Sequence, residues 1–290
     1  MPRVFRWRAP VWQADVDAFG ELRISVLLRF LQETATRAST DAGFDPAYYA
    51  RAGTLWLVRR TRLTLREPAR YGDELEATTW IADFRRVRSR RDYEIRAGDR
   101  LVARAHTDWV YVDRITSRPR RIPPAMQESF VPGGSGPGER PAFPDASPPA
   151  GAMHGTRRVE LHELDALQHV NNAQYVHYLE QAAHDAVAAA GWTLASQLAA
   201  GGRFRAVAHD LEYLDAALPD ERLTVLSWPV VVDADGIERC TWVCRDGVAR
   251  PLLRAFSRYR WIGAAGAACA MPPPLRAALA GELAPTVSAR

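Results

Sequence analysis

The feature that most constrains this 290-residue chain is an internal repeat at an offset of 148 to 150 residues. Asp17-Ala18 matches Asp165-Ala166, and Phe30-Leu31 matches Tyr178-Leu179. Leu63, Ala69, Leu75 and Trp80 match Leu211, Ala217, Leu223 and Trp228. Arg100–Val112 then lies over Arg250–Ile262, and Ile122-Pro123-Pro124 over Met271-Pro272-Pro273. An ordered series at a nearly constant spacing means two copies of one fold. Between the copies, residues 131–152 hold 11 Gly or Pro in 22 positions with no apolar period, which reads as a linker. The chain therefore divides into an N-terminal unit (1–130), a linker (131–152) and a C-terminal unit (153–290).

Each copy carries a short strand, one long helix and a series of strands. The helices are expected at Ser25 to about Ser39 and Asn172 to about Ala190, where Val176, Leu179, Ala183 and Val187 form a stripe at helical spacing. Runs rich in Val, Thr, Tyr and Trp, broken by Gly or Asp turns, predict strands at 54–66, 75–84, 87–96 and 101–112. The second copy repeats them at 203–214, 223–232, 237–243 and 252–262. One helix and about five antiparallel strands per copy make an α+β fold in which the sheet wraps a central helix.

Composition removes several classes of function. The three cysteines exclude a disulfide scaffold, and Cys240 and Cys244 have no second pair to complete a zinc site. No apolar run reaches the roughly 18 residues of a membrane span, and the start lacks a signal-like apolar segment, so a soluble cytoplasmic chain is expected. The chain has no lysine; all 38 basic residues are arginine. They are uneven: residues 1–130 hold 24 Arg against 17 acids, a net of +7, and the remainder 14 against 17, a net of −3. That is not the uniform basic surface of a nucleic-acid binder.

The copies differ most where the long helix begins. The first reads Asp17-Ala-Phe-Gly-Glu21-Leu-Arg-Ile24; the second reads Asp165-Ala-Leu-Gln-His169-Val-Asn171-Asn172. A carboxylate, an imidazole and two carboxamides thus gather at a helix N-terminus, whose free amides and dipole favour developing negative charge. That set suits a carbonyl that becomes an oxyanion, with Asp165 as base or nucleophile and His169 orienting a neighbour or sharing the proton. A thiol leaves with a pKa near ~8.5, so thioester cleavage needs no strong general acid. The structural alternatives are a capping role for Asn171 and Asn172 and a turn role for Asp165, since Asp17 stands in the first copy without the histidine. The spacing of His162, Glu163, Asp165 and His169 matches no common metal motif.

Asp-x-x-x-His-Val-Asn-Asn-x-x-Tyr, opening a long helix before an antiparallel sheet, resembles the hot-dog-fold thioesterases. Two such units joined by a Pro/Gly linker resemble the fatty acyl–acyl-carrier-protein thioesterases, which are double hot dogs. The stretches LLRFLQETATRAS, GTLWLVRRTRLTLREPARYGDELEATTW and VYVDRITSRPRRIP of the first copy fit the same family. The resemblance implies a tandem hot-dog fold forming an internal pseudo-dimer, with a homodimer left open. It further implies an acyl thioester substrate carried by acyl carrier protein or coenzyme A, with no metal or redox cofactor, no nucleic acid and no membrane.

The family pattern has an Asn two residues before the His and a Glu on the strand after the helix; here those positions hold Leu167 and Ala216. The site is thereby more similar to single-domain acyl-CoA thioesterases of the 4-hydroxybenzoyl-CoA type, in which the Asp of this motif is the catalytic carboxylate. The expected catalytic set is Asp165, His169, Asn171 and Asn172, with Glu180 added because some hot-dog thioesterases use a helix carboxylate. Tyr175 of the motif is expected to touch substrate. Phe19, Leu22, Leu28 and Trp56 of the first unit, which lacks the catalytic groups, are expected to wall the acyl chain.

Arg85, Arg86 and Arg88 open the densest charge run, which continues through Arg90 and Arg91. It reads either as a solvated strand end or as a landing patch for an acidic carrier protein or coenzyme A phosphates. Two other functions stay open: a silent acyl- or carrier-binding protein, and a hot-dog hydratase or dehydratase, although the Asp-x-Asn-x-x-His spacing of the latter is absent.

Overall fold

Helix α1 (Ile24–Asp41) turns Leu27, Leu28, Leu31, Thr34 and Ala38 inward along one stripe. It packs on β1 (Val4–Pro10) and β3 (Glu74–Phe84). The computed structural model describes residues 3–130, 142–144 and 146–283. Most of the Pro/Gly linker, residues 131–141 and 145, lies outside the described residues. The chain separates into two units, Met1–Ala142 and Phe143–Arg290.

The first unit continues through α2 (Pro46–Ala52), β2 (Thr54–Leu65), β3, β4 (Arg88–Ala97), β5 (Arg100–Asp113) and α3 (Pro124–Phe130). Its strands lie in the order β1-β3-β4-β5-β2, every pair antiparallel. The second unit repeats the sequence of elements: β6 (Met153–Arg158), α4 (Tyr175–Ala189), α5 (Leu194–Ala199), β7 (Gly202–Tyr213), β8 (Arg222–Val232), β9 (Gly236–Arg245), β10 (Pro251–Gly263) and α6 (Pro273–Ala280). Its strand order is β6-β8-β9-β10-β7, again antiparallel.

The repeat extends to irregularities. An extra residue bulges from β2 at Arg59 and from β7 at Val207, and another from β3 at Ala82 and from β8 at Val230. Each pair is 148 residues apart. A bulge bends its strand and strengthens the twist, so matched bulges impose matched curvature on both sheets. Within the second unit α4 buries Val176, Leu179, Ala182, Ala183, Ala186 and Val187 and packs on β8 and β6.

Two features depart from the sequence expectation. Four short helices, α2, α3, α5 and α6, supplement the single long helix of each unit. And α4 begins at Tyr175, not Asn172. The reason is local: the Asn171 side-chain oxygen accepts the Ala173 amide at 2.9 Å and its carbonyl accepts the Gln174 amide at 2.9 Å. This side-chain turn competes with the helix for the same amides. Arg23, at the corresponding position, has no such acceptor, and α1 starts at Ile24, the equivalent of Asn172. Among the described residues, no helix is long and apolar enough to cross a membrane.

Candidate catalytic site

The loops that precede the two long helices share one backbone design. In the second unit Leu164 bridges Val170, and the Asp165 amide donates to the His169 carbonyl at 2.9 Å. The Asp165 carboxylate accepts the Leu167 amide at 2.8 Å, and Gln168 takes a left-handed conformation with φ of 61°. In the first unit Val16 bridges Leu22, and Asp17 donates to the Glu21 carbonyl at 2.8 Å. Its carboxylate accepts the Phe19 amide at 2.8 Å, and the left-handed position is Gly20 with φ of 72°. Turn formation is therefore a real role of both aspartates. What differs is the chemistry at the turn's far end. Glu21 is buried there and its carboxylate lies 4.0 Å from Arg70, whereas His169 is half-buried and its imidazole pairs with no described residue.

The second loop has a support the sequence reading missed. Glu163, two residues ahead of Asp165, is 3% exposed, and its carboxylate binds Arg157 at 2.5 Å and the Glu160 amide at 2.9 Å. Arg157 lies over the Tyr178 ring of α4 at 3.6 Å. The Glu163 carbonyl accepts the Asn171 amide at 2.9 Å, so this buried ion pair clamps both ends of the Asp165 loop. The carbonyl of its counterpart Asp15 accepts the Arg23 amide at 2.9 Å in the same way, but the Asp15 carboxylate accepts the Trp12 amide at 3.0 Å and has no arginine partner among the described residues. The 148-residue match of Asp15 to Glu163 was the available signal.

Other expected residues take different places. Asn171 shapes the turn into α4, and the Asn172 carbonyl accepts the Tyr213 hydroxyl at 3.0 Å. Neither is the helix cap, which falls at Gln174. Tyr175 is 2% exposed in a ring cluster with Tyr178 and Tyr213, and its hydroxyl accepts the Ala217 amide at 3.0 Å. Burial pushes that phenol up to about 12. It is packed in the core of the second unit. Glu180 is half-exposed, 4.0 Å from His177 Nδ1. Burial and the Glu180 charge together push the buried Tyr259 phenol upward. Asp215 lies beyond the end of β7 and pairs with Arg245 at 2.9 Å; burial opposes its ionisation, but Arg245 brings its pKa below the usual carboxylate value. No group of His, Cys, Asp and Glu among the described residues is arranged to hold a metal ion.

The arginine run divides. Arg85, Arg86 and Arg88 are exposed at the β3–β4 hairpin, with Arg85 3.6 Å from Asp83. The Arg86 carbonyl accepts the Ile122 amide at 3.0 Å, which sets Arg120 and Arg121 beside them. Arg90 and Arg91 are buried, at 6% and 5% exposure, so the run is not one solvated strand end. Arg91 instead lines a cavity of about 290 Å³ inside the first unit, whose apolar wall includes Leu55, Trp56, Ile81, Phe84 and Phe130. Of the four expected wall residues Trp56 lines this cavity, Leu28 is a 2% exposed core residue, and Phe19 and Leu22 are half-buried near the Asp17 turn.

Residues 2–130 match the family model of the acyl-ACP thioesterase N-terminal domain, and residues 159–279 match that of the thioesterase-like superfamily. Thioesterase family models thus match both units, and the acyl-ACP thioesterase model matches the first. Among relatives, it is 26% identical over 201 residues to the acyl-[acyl-carrier-protein] hydrolase FATB2 of Cuphea viscosissima, covering 61% of this chain and 46% of that protein. To the palmitoyl-acyl carrier protein thioesterase of Arabidopsis thaliana it is 25% identical, over 62% and 47% of the two chains. The chain thus spans about half the length of the curated relatives it matches. Two solved acyl-ACP thioesterases, from Bacteroides thetaiotaomicron and the 12:0-ACP enzyme of Umbellularia californica, superpose with TM-scores of 0.73 and 0.69. Each comparison covers 89% of this chain, with 98% and 94% of the other, at 16% and 19% identity, and establishes the fold. Both units are therefore hot dogs: an antiparallel sheet around one long helix.

Proposed function

We propose that the protein hydrolyses an acyl thioester, carried by acyl carrier protein or by coenzyme A, to a free acid and a thiol. The single observation behind this reading is the Asp165–His169 turn. One backbone design occurs twice, yet only the copy leading into α4 carries a carboxylate and an unpaired imidazole together. The named relatives act on acyl carrier protein thioesters, which favours that carrier first.

Asp165 takes the proton of a water whose oxygen adds to the thioester carbonyl carbon, or adds there itself to give an anhydride that water then opens. The carbonyl oxygen gains negative charge, which the positive end of the α4 dipole stabilises. The C–S bond breaks as the carbonyl reforms, and sulfur departs as thiolate, or takes the proton that Asp165 removed from water and passed on through His169. In this reading the second unit carries the hydrolytic groups and the first unit carries an acyl-accepting cavity. Glu163 and Arg157 act as positioning residues, through the loop they clamp.

Thiol release measured over a panel of acyl carrier protein and coenzyme A thioesters tests this. Turnover that saturates with one class of carrier is expected. Tight acyl binding with no thiol released from any member would replace the enzyme by a silent acyl-binding protein.

A further inference from the structure

The two units contain the same buried arginine in two electrostatic settings. Arg91 of β4 faces Ile81 across the strand pair, and Arg239 of β9 faces Pro229, 148 residues on in each strand. Each reaches a hydroxyl on the neighbouring strand: Arg91 to Thr79 at 3.4 Å, Arg239 to Ser227 at 3.1 Å. Each is almost wholly enclosed, at 5% and 1% exposure, and burial lowers the pKa of both. Arg239 is answered by a carboxylate, Glu282, at 3.3 Å. Arg91 has no described carboxylate partner; its guanidinium lies 5.4 Å over the Phe130 ring and lines the cavity.

A buried cation without a counter-charge is costly, which is why such groups are normally paired. The same cavity is lined by Trp109 and by Ser89, whose buried Oγ has no hydrogen-bond partner among the described residues. All three polar groups can donate; Gln32, Thr36, Ser39 and a second cation, Arg114, share the lining, and the rest of the wall is largely aromatic and aliphatic. A ligand matching both is an alkyl chain ending in an anionic acceptor.

We propose that the first-unit cavity binds an alkyl chain terminated by a carboxylate, with the carboxylate against Arg91 and Ser89 and the chain against Trp56, Phe84 and Phe130. The inference rests on the reading of the first unit as the acyl-accepting half. The carboxylate has two sources: the distal carboxyl of a thioester-bound dicarboxylic acyl group, or the head of a released fatty acid.

Trp56 and Trp109 in the cavity wall make indole fluorescence a direct readout of binding. Titration of the full-length protein with a medium-chain fatty acid and with the primary alcohol of equal length is expected to show the acid bound roughly tenfold to a hundredfold tighter. Arg91→Met should erase the preference while keeping the alcohol. Equal affinity for acid and alcohol, binding of neither, or a preference untouched in Arg91→Met overturns the proposal. If Arg91→Met fails to fold by near-UV circular dichroism, the acid–alcohol comparison on the native protein decides, with Ser89→Ala expected to reduce the preference.

Thiol release from coenzyme A thioesters ending in carboxylate or methyl separates the sources. A tenfold or greater kcat/KM advantage for the carboxylate end, lost in Arg91→Met, identifies the substrate. Competitive inhibition by the free acid without that advantage identifies the released acid. Absence of thiol release from every thioester removes the hydrolase reading alone, because the binding preference is read without turnover.

Discussion

Replacing Glu163 by Ala tests whether the Asp165 loop is held by a buried ion pair. The substitution removes the 2.5 Å bond to Arg157 and the acceptor of the Glu160 amide. Removing one partner of a fully buried pair costs about 3–5 kcal/mol. Arg157 keeps 28% side-chain exposure and its stacking on Tyr178, so water recovers part of that loss. A loss of about 2–3 kcal/mol remains, or roughly 5–10 °C in Tm. Asp15→Ala is the internal control. Asp15 occupies the same turn with one amide bond and no arginine, and its loss should cost about 1 kcal/mol, the usual value of such a cap. Urea unfolding of both variants, with Arg157→Met and the double variant completing a cycle, gives the coupling directly. A coupling energy above about 1 kcal/mol is expected. Equal, small costs for Glu163→Ala and Asp15→Ala would refute the clamp.

Three further outcomes follow from the geometry. Burial drops the His209 imidazole to about 4, so the unfolded chain, with its histidine near 6.5, binds the extra proton between those values. Stability from this group is therefore complete above about pH 6.5 and drains towards pH 4, by up to about 3 kcal/mol; His209→Gln should flatten the acid slope of the urea midpoint, and an unchanged slope contradicts the assignment. Gln168 sits left-handed where the first unit has Gly20, so Gln168→Gly should hold or raise Tm while Gln168→Val costs about 1–2 kcal/mol. Charge reversal at Arg85, Arg86 and Arg88, all exposed, should leave stability within about 0.5 kcal/mol. If they receive an acidic carrier, KM for acyl carrier protein substrates rises with a reduced salt dependence; no change in KM leaves them as solvated surface.

Sequence pattern located the long elements to within a few residues, because strands with period-two burial and a helix with an apolar stripe advertise themselves over ten or more positions. The short helices escaped for the opposite reason. The signals of α2 were present, with Asp45 capping the Tyr48 amide at 2.7 Å, Pro46 at the first turn and a left-handed Gly53 at the end, but seven residues carry no period. The start of α4 shifted because propensity does not foresee a side chain that captures the first amides. At the candidate site, the closeness of Asp165, His169 and Asn171 was legible because one local turn joins them. Arg91 and Glu163 were not, since burial depends on which strand or loop lies opposite. A run of arginines reads as solvent-facing until a bulge and a pleat divide it. Both were nevertheless written in the repeat, as partners of Arg239 and Asp15.

The central claim is that Asp165 does chemistry beyond the turn it shares with Asp17. Asp165→Asn and Asp17→Asn make the same change in the same hydrogen-bonded turn, one in each unit. Thiol release under saturating acyl thioester should fall by roughly 10²–10⁴ in Asp165→Asn, the usual range for losing a positioned base, and stay near the native rate in Asp17→Asn. Native turnover in Asp165→Asn, or an equal loss in both variants, would contradict the account.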